Sequence, residues 1–212
     1  MKTRPEGVLI TFEGGEGAGK SSLIHRVYQA LLSEKGGGVQ LTCEPGGTIL
    51  GKAIRDLLLH REDFSLSRKA ELFLFLADRA QHLQECILPA LHQKRILLCD
   101  RFTDSTLAYQ GERLGLTSQE FFWLSTYAAD GLIPDLTILL DLPPEVGLRR
   151  RGKDQNRIDR ESLLLHHEVR KAYLDLAVKE PQRFCVIDSS LPLERVYDEA
   201  MASIYQKIDG LM

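Results

Sequence analysis

The stretch EGGEGAGKSS, residues 13–22, decides the fold of this chain. It separates the apolar run VLITF at residues 8–12 from LIHRVYQALL at residues 23–32, whose apolar spacing is that of a helix. Four glycines lie within residues 14–19, and such a density disfavours both a strand and a helix interior. The sequence therefore predicts a strand, a loop with glycine backbone conformations, and then a helix.

The loop matches the pattern GxxxxGK[ST], with Gly14, Gly19, Lys20 and Ser21 at its fixed positions. Such a loop turns backbone N–H groups toward phosphate oxygens, and the following helix adds the positive end of its dipole. The lysine of this pattern contacts the β- and γ-phosphates, and the hydroxyl after it binds Mg²⁺. The predicted residues of this nucleoside triphosphate site are Gly14, Gly15, Glu16, Gly17, Ala18, Gly19, Lys20, Ser21 and Ser22.

Apolar runs and helix-period segments alternate along the rest of the chain. The predicted strands lie at residues 8–12, 39–43, 95–100, 136–141 and 183–188. The predicted helices lie at residues 20–33, 48–60, 67–93, 118–130, 143–152, 160–179 and 191–207. The strands are continuously apolar, which is typical of parallel strands covered on both faces. This order predicts a doubly wound α/β fold with a five-stranded parallel sheet, and without any repeat or linker we expect one domain over residues 1–212.

Composition and charge restrict the partners that we expect. A net charge of −3 argues against a broad basic face, so we expect no nucleic-acid partner. The chain has no apolar run near the roughly 18 residues that span a membrane, and its N-terminal apolar run is too short for a signal peptide. The cysteines are far apart and form no CxxC pair. We interpret all four as reduced, buried side chains, which predicts a cytoplasmic protein: Cys43, Cys86, Cys99 and Cys185.

The glycine-rich loop leaves two classes open, a GTPase-like switch and a kinase that phosphorylates a small acceptor. The switch requires a guanine-reading NKxD stretch, which this chain lacks. The kinase requires a second site with arginines for the acceptor. Asp100 and Arg101 end the third apolar run, where an acid can hold the waters around Mg²⁺ and the arginine can bind a second phosphate. These features favour the kinase.

Three further motifs point to one kinase family. They are EPGGT at residues 44–48, FLADRAQH at residues 75–82 and DRFTDSTLAYQG at residues 100–111. With the loop they resemble the thymidylate kinase family, and the resemblance runs from Gly14 to the strand near Asp188. It implies a P-loop nucleoside monophosphate kinase fold and transfer of the γ-phosphoryl group of ATP to dTMP, giving dTDP, with Mg²⁺ as cofactor.

The resemblance also implies a binding site for dTMP. Phe75 matches the residue that stacks on thymine, and Arg79, one helical turn on, matches the donor to the thymine carbonyl. Arginine only donates, so it suits thymine and rejects cytosine, which presents an amino donor there. Arg55 and Arg101 match the arginines that hold the dTMP phosphate. The other positions matched around the acceptor are Ser105, Thr106, Tyr109 and Gln110, among which the tyrosine ring crowds out a ribose 2′-hydroxyl.

Residues around the transferred phosphoryl group are assigned by the same resemblance. Glu16 matches a loop carboxylate that faces the 3′-hydroxyl of the acceptor, and this loop lacks the arginine that other subgroups carry. The segment RRRGKDQNRIDR, residues 149–160, resembles the basic lid of bacterial-type members, and Arg157 matches its catalytic arginine. The predicted catalytic residues are Lys20, Arg101, Arg157 and Glu16, and the predicted Mg²⁺ ligands are Ser21 and Asp100.

The resemblance implies a homodimer, for which the segments at residues 67–93 and 120–131 are candidate faces. One position departs from the family. An arginine usually precedes EPGGT, and this chain has Cys43 there, so we expect a weaker affinity for dTMP. Two alternatives stay open: a kinase of the same fold that takes dUMP or a deoxynucleoside, and a nucleotide-binding regulator without turnover. Acceptor-dependent ADP release distinguishes the enzymes from the regulator.

Overall fold

The computed structural model describes residues 6–61, 63–110, 117–152 and 156–210, with the backbone alone at Gln110 and Ser118. The strands are β1 (Val8–Gly14), β2 (Val39–Cys43), β3 (Ile96–Asp100), β4 (Leu136–Asp141) and β5 (Phe184–Asp188). The helices within these ranges are α1 (Lys20–Lys35), α2 (Ile49–Leu59), α3 (Arg68–His82), α4 (Leu88–His92), α5 (Thr103–Gln110), α6 (Ser118–Ala128), α7 (Pro144–Arg151), α8 (Leu163–Lys179) and α9 (Leu193–Asp209).

The five strands form one parallel sheet in the order β2-β3-β1-β4-β5. The predicted α/β fold and parallel sheet are therefore confirmed. β1 is central, with Phe12 opposite Asp100 of β3 and Gly14 opposite Leu140 of β4. In open sheets of this kind, ligands bind in the crevice beyond the carboxyl ends of the strands. The glycine-rich loop, residues 14–19, lies at that edge because it follows β1 directly.

Helices bury both faces of the sheet. Ile10 and Phe12 of β1 pack in the apolar cluster that contains the buried faces of α1 and α9. Leu9, which precedes Ile10 in the strand, points to the opposite face and packs in a cluster with α4. Successive strand residues alternate between faces, and here both faces are buried, which explains why the strand sequences are continuously apolar.

Two segments differ from the predicted elements. The helix predicted at residues 67–93 is interrupted, because a π-helical turn at Leu83–Ile87 joins α3 to α4. Helix α5 was not predicted from periodicity. Its inward-facing residues include the buried polar side chains Asp104 and Thr106, so it lacks the apolar stripe by which a short helix is recognised.

The four cysteines, which all lie in the described ranges, are free thiols. Only Cys99 is buried, and the other three are half-buried, so the prediction that all four are buried was wrong for three of them. Among the helices that the structure describes, none has the length and apolar character needed to cross a bilayer.

Candidate functional site

The shape of the glycine-rich loop depends on residues without a side chain. Gly14, Gly17 and Gly19 have φ angles of 136°, 69° and 91°, a range that residues with a Cβ rarely adopt. A Cβ at Gly17 would also lie 2.0 Å from the carbonyl oxygen of Gly147 in α7. The loop therefore packs backbone to backbone against α7, which no substituted residue at position 17 would allow.

The side chain of Lys20 folds back over this loop. Its Nζ donates to the carbonyl oxygens of Gly14 at 2.9 Å and Gly15 at 2.8 Å. Burial, together with the positive charge of Arg101, lowers the pKa of Lys20 to about 8, although the charge of Glu16 opposes this shift. The ammonium group is thus held at the loop and keeps its charge at neutral pH.

A cavity of about 460 Å³ opens beside the loop and brings most of the predicted residues together. The predicted residues that line it are Glu16, Gly17, Ala18, Gly19, Lys20, Ser21, Ser22, Arg55, Phe75, Arg79, Asp100, Arg101, Ser105, Thr106 and Tyr109. Gly14 and Gly15 contribute to the loop backbone, and the side chain of Gln110 lies outside the described part of the chain. The cavity is large enough for small-molecule ligands.

Oxygen atoms suited to a divalent cation lie at one end of this cavity. Ser21 Oγ donates to Asp100 Oδ2 at 3.3 Å. Asp100 Oδ1 is buried and has no hydrogen-bond partner among the described residues. A hydroxyl and a carboxylate with an unsatisfied oxygen are the hard donors that Mg²⁺ prefers, so the residues present fit this cation.

Arg101 connects the loop to α5. Its Nη2 donates to Glu16 Oε1 at 2.6 Å, and Tyr109 Oη donates to the same oxygen at 2.9 Å. Burial raises the pKa of Glu16, but the charges of Arg101 and Lys20 outweigh burial and lower it to about 2. The Glu16 carboxylate is therefore ionised and already occupied by a guanidinium, which the resemblance did not indicate.

Arg79 is a buried arginine at the wall of the cavity. Its Nε donates to Glu44 Oε2 at 2.9 Å, and its Nη2 donates to Thr106 Oγ1 at 2.8 Å. The remaining nitrogen, Nη1, is buried and has no partner among the described residues. His82 Nδ1 lies 2.9 Å from the other oxygen of Glu44. This arrangement fixes the guanidinium plane and leaves the N–H groups of Nη1 for a ligand.

Two other predicted acceptor residues have structural contacts as well. Arg55 Nη1 donates to the carbonyl oxygen of Pro45 at 2.7 Å. Phe75 is half-buried and packs against the apolar cluster of α2 while it lines the cavity. Cys43 also lines the cavity, with Sγ 3.8 Å from the Pro45 oxygen, and burial raises the pKa of its thiol. The position at which the family has an arginine therefore faces this site.

The predicted lid arginine, Arg157, is not among the described residues that line the cavity. Its Nε donates to the carbonyl oxygen of Leu58 at 2.9 Å, its backbone N–H bonds to Leu59, and its Nη2 pairs with Glu71. The last carbonyls of a helix attract cations, so the end of α2 holds this side chain. The structure does not bring Arg157 to the other predicted catalytic residues, and its catalytic role stays a prediction.

Two other arginines of the basic segment do line the cavity. They are Arg150, whose Nη1 donates to the Ser189 carbonyl oxygen at 3.1 Å, and Arg151. Arg151 Nη2 donates to Asp159 Oδ2 at 2.8 Å, and that carboxylate is buried. The resemblance singled out Arg157, and the charged run gave no separate signal for Arg150 or Arg151.

A buried carboxylate beneath the loop, Glu13, was not predicted from the sequence. Glu13 Oε1 accepts from the Phe102 N–H at 2.7 Å, and Oε2 accepts from Ser105 Oγ at 2.6 Å and Tyr173 Oη at 2.9 Å. Burial and the nearby charge of Asp104 raise the pKa of Glu13 to about 7. The sequence did contain a signal for Glu13, because this acid directly follows the apolar run of β1. Tyr173 had none, because it lies 160 residues away.

Comparisons with known proteins agree with this geometry. The family model described as thymidylate kinase matches residues 12–200. A thymidylate kinase from Desulfovibrio desulfuricans is 48% identical over 206 residues, which are 93% of this chain and 94% of the relative. One from Geobacillus thermodenitrificans is 42% identical over 208 residues, or 96% of this chain and 92% of the relative.

A solved structure leads to the same family. The crystal structure of thymidylate kinase from Ehrlichia chaffeensis superposes with a TM-score of 0.78 at 32% identity, covering 95% of this chain and all of the other. Sequence and structure are thus matched over nearly the whole length, which includes the loop, the cavity and the basic segment. The chain belongs to the thymidylate kinase family.

Proposed function

We propose that this site transfers the γ-phosphoryl group of ATP to dTMP, giving ADP and dTDP. One observation carries the proposal: a single cavity holds both the glycine-rich loop with Lys20 and a buried guanidinium, Arg79, with an unused donor. The loop suits a nucleoside triphosphate, and the donor suits a base that accepts a hydrogen bond. Family membership supports the same reaction.

The chemistry requires charge compensation more than proton transfer. The attacking group is the phosphate of dTMP, which is already an anion, so no general base is needed. The difficulty is to bring two anions together in line and without water, which positioning and fixed cations achieve. Lys20 and Arg101 lie on the loop side of the cavity, and Arg150 and Arg151 line it from α7. We propose that these four cations stabilise the negative charge of the transferred phosphoryl group.

Mg²⁺ is part of this proposal. Ser21 and Asp100 would hold it, directly or through water, because their oxygens are adjacent and Asp100 Oδ1 is unsatisfied within the described ranges. When bound at these residues, the cation would supply positive charge that offsets the charge of the phosphates. The Ser21 hydroxyl and the Asp100 carboxylate are kept together by the end of β3 and the start of α1.

Selection of the base falls to Arg79 and Phe75. Glu44 and Thr106 accept from Nε and Nη2 of the Arg79 guanidinium, and Nη1 has no partner among the described residues. Thymine offers a carbonyl oxygen to this donor, whereas cytosine offers an amino group that repels it. We propose that Phe75 stacks on the base and that Tyr109 limits the space at the sugar. Arg55 and Arg101 would hold the acceptor phosphate.

We also propose that residues 149–160 form a lid over ATP, within one domain of 212 residues. Arg150 and Arg151 line the cavity while Arg157 is bonded to the end of α2. Closure of such a segment excludes water and prevents ATP hydrolysis. The arginines of α7 would act first on the phosphoryl group, and Arg157 would act only after leaving its contacts with Leu58 and Glu71.

A homodimer is a further part of the proposal. Buried residues between α3 and α6 join these helices, whose outer faces carry four exposed aromatic side chains: Phe73, Phe122, Trp123 and Tyr127. Apolar patches of this kind are typical of contacts between subunits. We expect light scattering to give the mass of two chains and Phe122→Glu to give the mass of one. A monomeric wild type would exclude this interface.

The test of function is ADP release with Mg-ATP and dTMP, dUMP, dCMP, dGMP or no acceptor in parallel. We expect rapid release with dTMP alone. Comparable release with dUMP would support the less selective kinase that the sequence left open. Binding of ATP without acceptor-dependent release would support a regulator and would overturn the proposal.

A further inference from the structure

Arg101 has an unusual backbone. Its φ angle is 70°, in the left-handed region that residues other than glycine rarely adopt. The turn is held on both sides, because the Arg101 N–H bonds to the Phe12 carbonyl oxygen at 3.1 Å and the Phe102 N–H bonds to Glu13 Oε1 at 2.7 Å. One oxygen of Glu13 thus fixes the backbone that directs Arg101 into the cavity.

The other oxygen of Glu13 controls the surroundings of the Arg101 side chain. It accepts from the hydroxyls of Ser105 and Tyr173, and the same two hydroxyl oxygens lie 3.1 and 3.4 Å from Arg101 Nη1. A hydroxyl has one hydrogen. Once that hydrogen is given to Glu13, the oxygen presents lone pairs, which are what a guanidinium needs. The carboxylate therefore orients two acceptors toward Arg101.

A general stabilising role does not explain this carboxylate. Glu13 is fully buried, and a buried carboxylate is costly unless its bonds serve a purpose that an apolar residue cannot. Its neighbour Asp104 has its own cation, since Arg183 donates to both Asp104 oxygens at 2.8 Å. The three donors to Glu13 all serve Arg101 instead. The Phe102 N–H is part of the turn at Arg101, and the hydroxyls of Ser105 and Tyr173 contact its side chain.

We propose that Glu13 is a positioning residue for phosphoryl transfer: it sets the backbone turn and the hydroxyl orientations that hold Arg101 at the acceptor phosphate. This inference rests on the proposed function and deepens it. Glu13→Gln tests it closely, because the amide keeps the size but places an NH₂ group among three donors. The hydroxyls must then turn, and Arg101 loses acceptors.

The experiment is a double-mutant cycle with Glu13→Gln and Arg101→Ala, measured as kcat/KM for dTMP. We expect Glu13→Gln to lower this constant about 10- to 100-fold in the wild-type background, the range associated with misplaced catalytic groups. In the Arg101→Ala background it should cost less than about 3-fold, because residues that act as a unit are non-additive. A merely structural role would give the same factor in both backgrounds.

Matched variants make the outcome decisive. Thr11→Val removes a buried hydroxyl on the same strand, 3.0 Å from Thr137 Oγ1, and should change kcat/KM by less than about 2-fold. If Glu13→Gln does not fold, Tyr173→Phe removes one donor, keeps the ring and takes its place in the cycle. Equal losses in both backgrounds would overturn the inference. A wild type without dTMP-dependent ADP release would instead overturn the proposed function.

Discussion

Glu13 and Glu16 lie on either side of the first two glycines of the loop, and both are shielded from solvent, with side-chain exposures of 0% and 14%. Burial on its own would raise the pKa of each carboxyl. For Glu13, burial and the charge of Asp104 prevail and raise the pKa to about 7. For Glu16, the charges of Arg101 and Lys20 exceed the effect of burial and lower the pKa to about 2.

Contact with Arg101 is one source of this difference, beside the charges of Asp104 and Lys20. Arg101 Nη2 contacts Glu16 directly at 2.6 Å, but the same guanidinium reaches Glu13 only through the hydroxyls of Ser105 and Tyr173. A direct ion pair favours the charged form far more than a relayed contact does. We infer that these two nearby acids, one at the end of β1 and one in the loop, have separate tasks. One balances charge at the cavity wall, and the other orients groups inside the protein.

Removal of Arg101, which connects the two acids, should have the largest effect on activity. We expect Arg101→Ala to lower kcat/KM for dTMP about 1,000-fold, because a phosphate contact and the partner of Glu16 are lost together. Steady-state kinetics measure the change. Arg26→Ala is the control, because Arg26 pairs with exposed Glu194 away from the cavity and should be near neutral. A loss below about 10-fold would remove Arg101 from the chemistry.

The opposite pKa shifts should appear in stability against pH. For Glu13, whose folded pKa exceeds its ordinary 4.5, the native state binds more protons between pH 4.5 and 7, so its contribution to the unfolding free energy falls as pH rises through that window. For Glu16 the unfolded state binds more protons between pH 2 and 4.5, so its contribution is lost as pH falls there. Each contribution is about 3 kcal/mol.

Urea unfolding between pH 2 and 8 covers both windows and measures these contributions. Glu13→Gln should remove its part of the fall above pH 4.5, and Glu16→Gln should flatten the rise below it. Asp78→Asn serves as a comparison in the upper pH window. Burial and the charge of Glu44 raise the pKa of this second carboxyl to about 6, so its removal should also lessen the fall in stability. Profiles of the two glutamine variants that run parallel to the wild type would contradict the opposite shifts.

Glu44 and Arg79 extend the comparison to the base side of the cavity. As with Glu16 and Arg101, a buried carboxylate occupies part of a guanidinium. At Arg79 this leaves Nη1 without a partner among the described residues. We expect Arg79→Gln to reduce the preference for dTMP over dCMP about 10- to 100-fold, the value of one hydrogen bond to a charged donor. Phe75→Leu should weaken both substrates alike. An unchanged ratio of kcat/KM values would exclude Arg79 as the base-reading residue.

The features predicted from sequence were those with a local signal. The apolar runs gave all five strands, and GxxxxGK[ST] located the loop, because both patterns depend on neighbouring residues. Helix α5 was missed because its buried face includes the polar residues Asp104 and Thr106. Tyr173 reaches Glu13 only through the three-dimensional fold. The position of Arg157 depends on the end of α2 and on Glu71, which no charged run reveals.

The smallest effect is expected at Cys43. The charges around it contrast with those around the loop. It ends β2 beside Asp100 in the sheet, and the nearby cation among the groups that affect its thiol is Arg55. Glu16 has two cations close to it, Arg101 and Lys20. Near position 43 the cavity has Arg55, and Cys43 stands where the family usually has an arginine. We expect Cys43→Arg to lower KM for dTMP about 3-fold, as an added, partly exposed cation near a phosphate would.

The same variant tests how the acceptor phosphate is held. If Arg55 does the work of two arginines in this chain, Arg55→Ala should raise KM for dTMP more in the wild type than in Cys43→Arg, where a second guanidinium shares the phosphate. Cys43→Ser separates charge from size and should leave KM within about 2-fold. Equal effects of Arg55→Ala in both backgrounds would mean that the two positions contact different parts of the ligand. Cys43 would then be a neutral replacement at a strand end, and its neighbour Arg55 would not compensate for it.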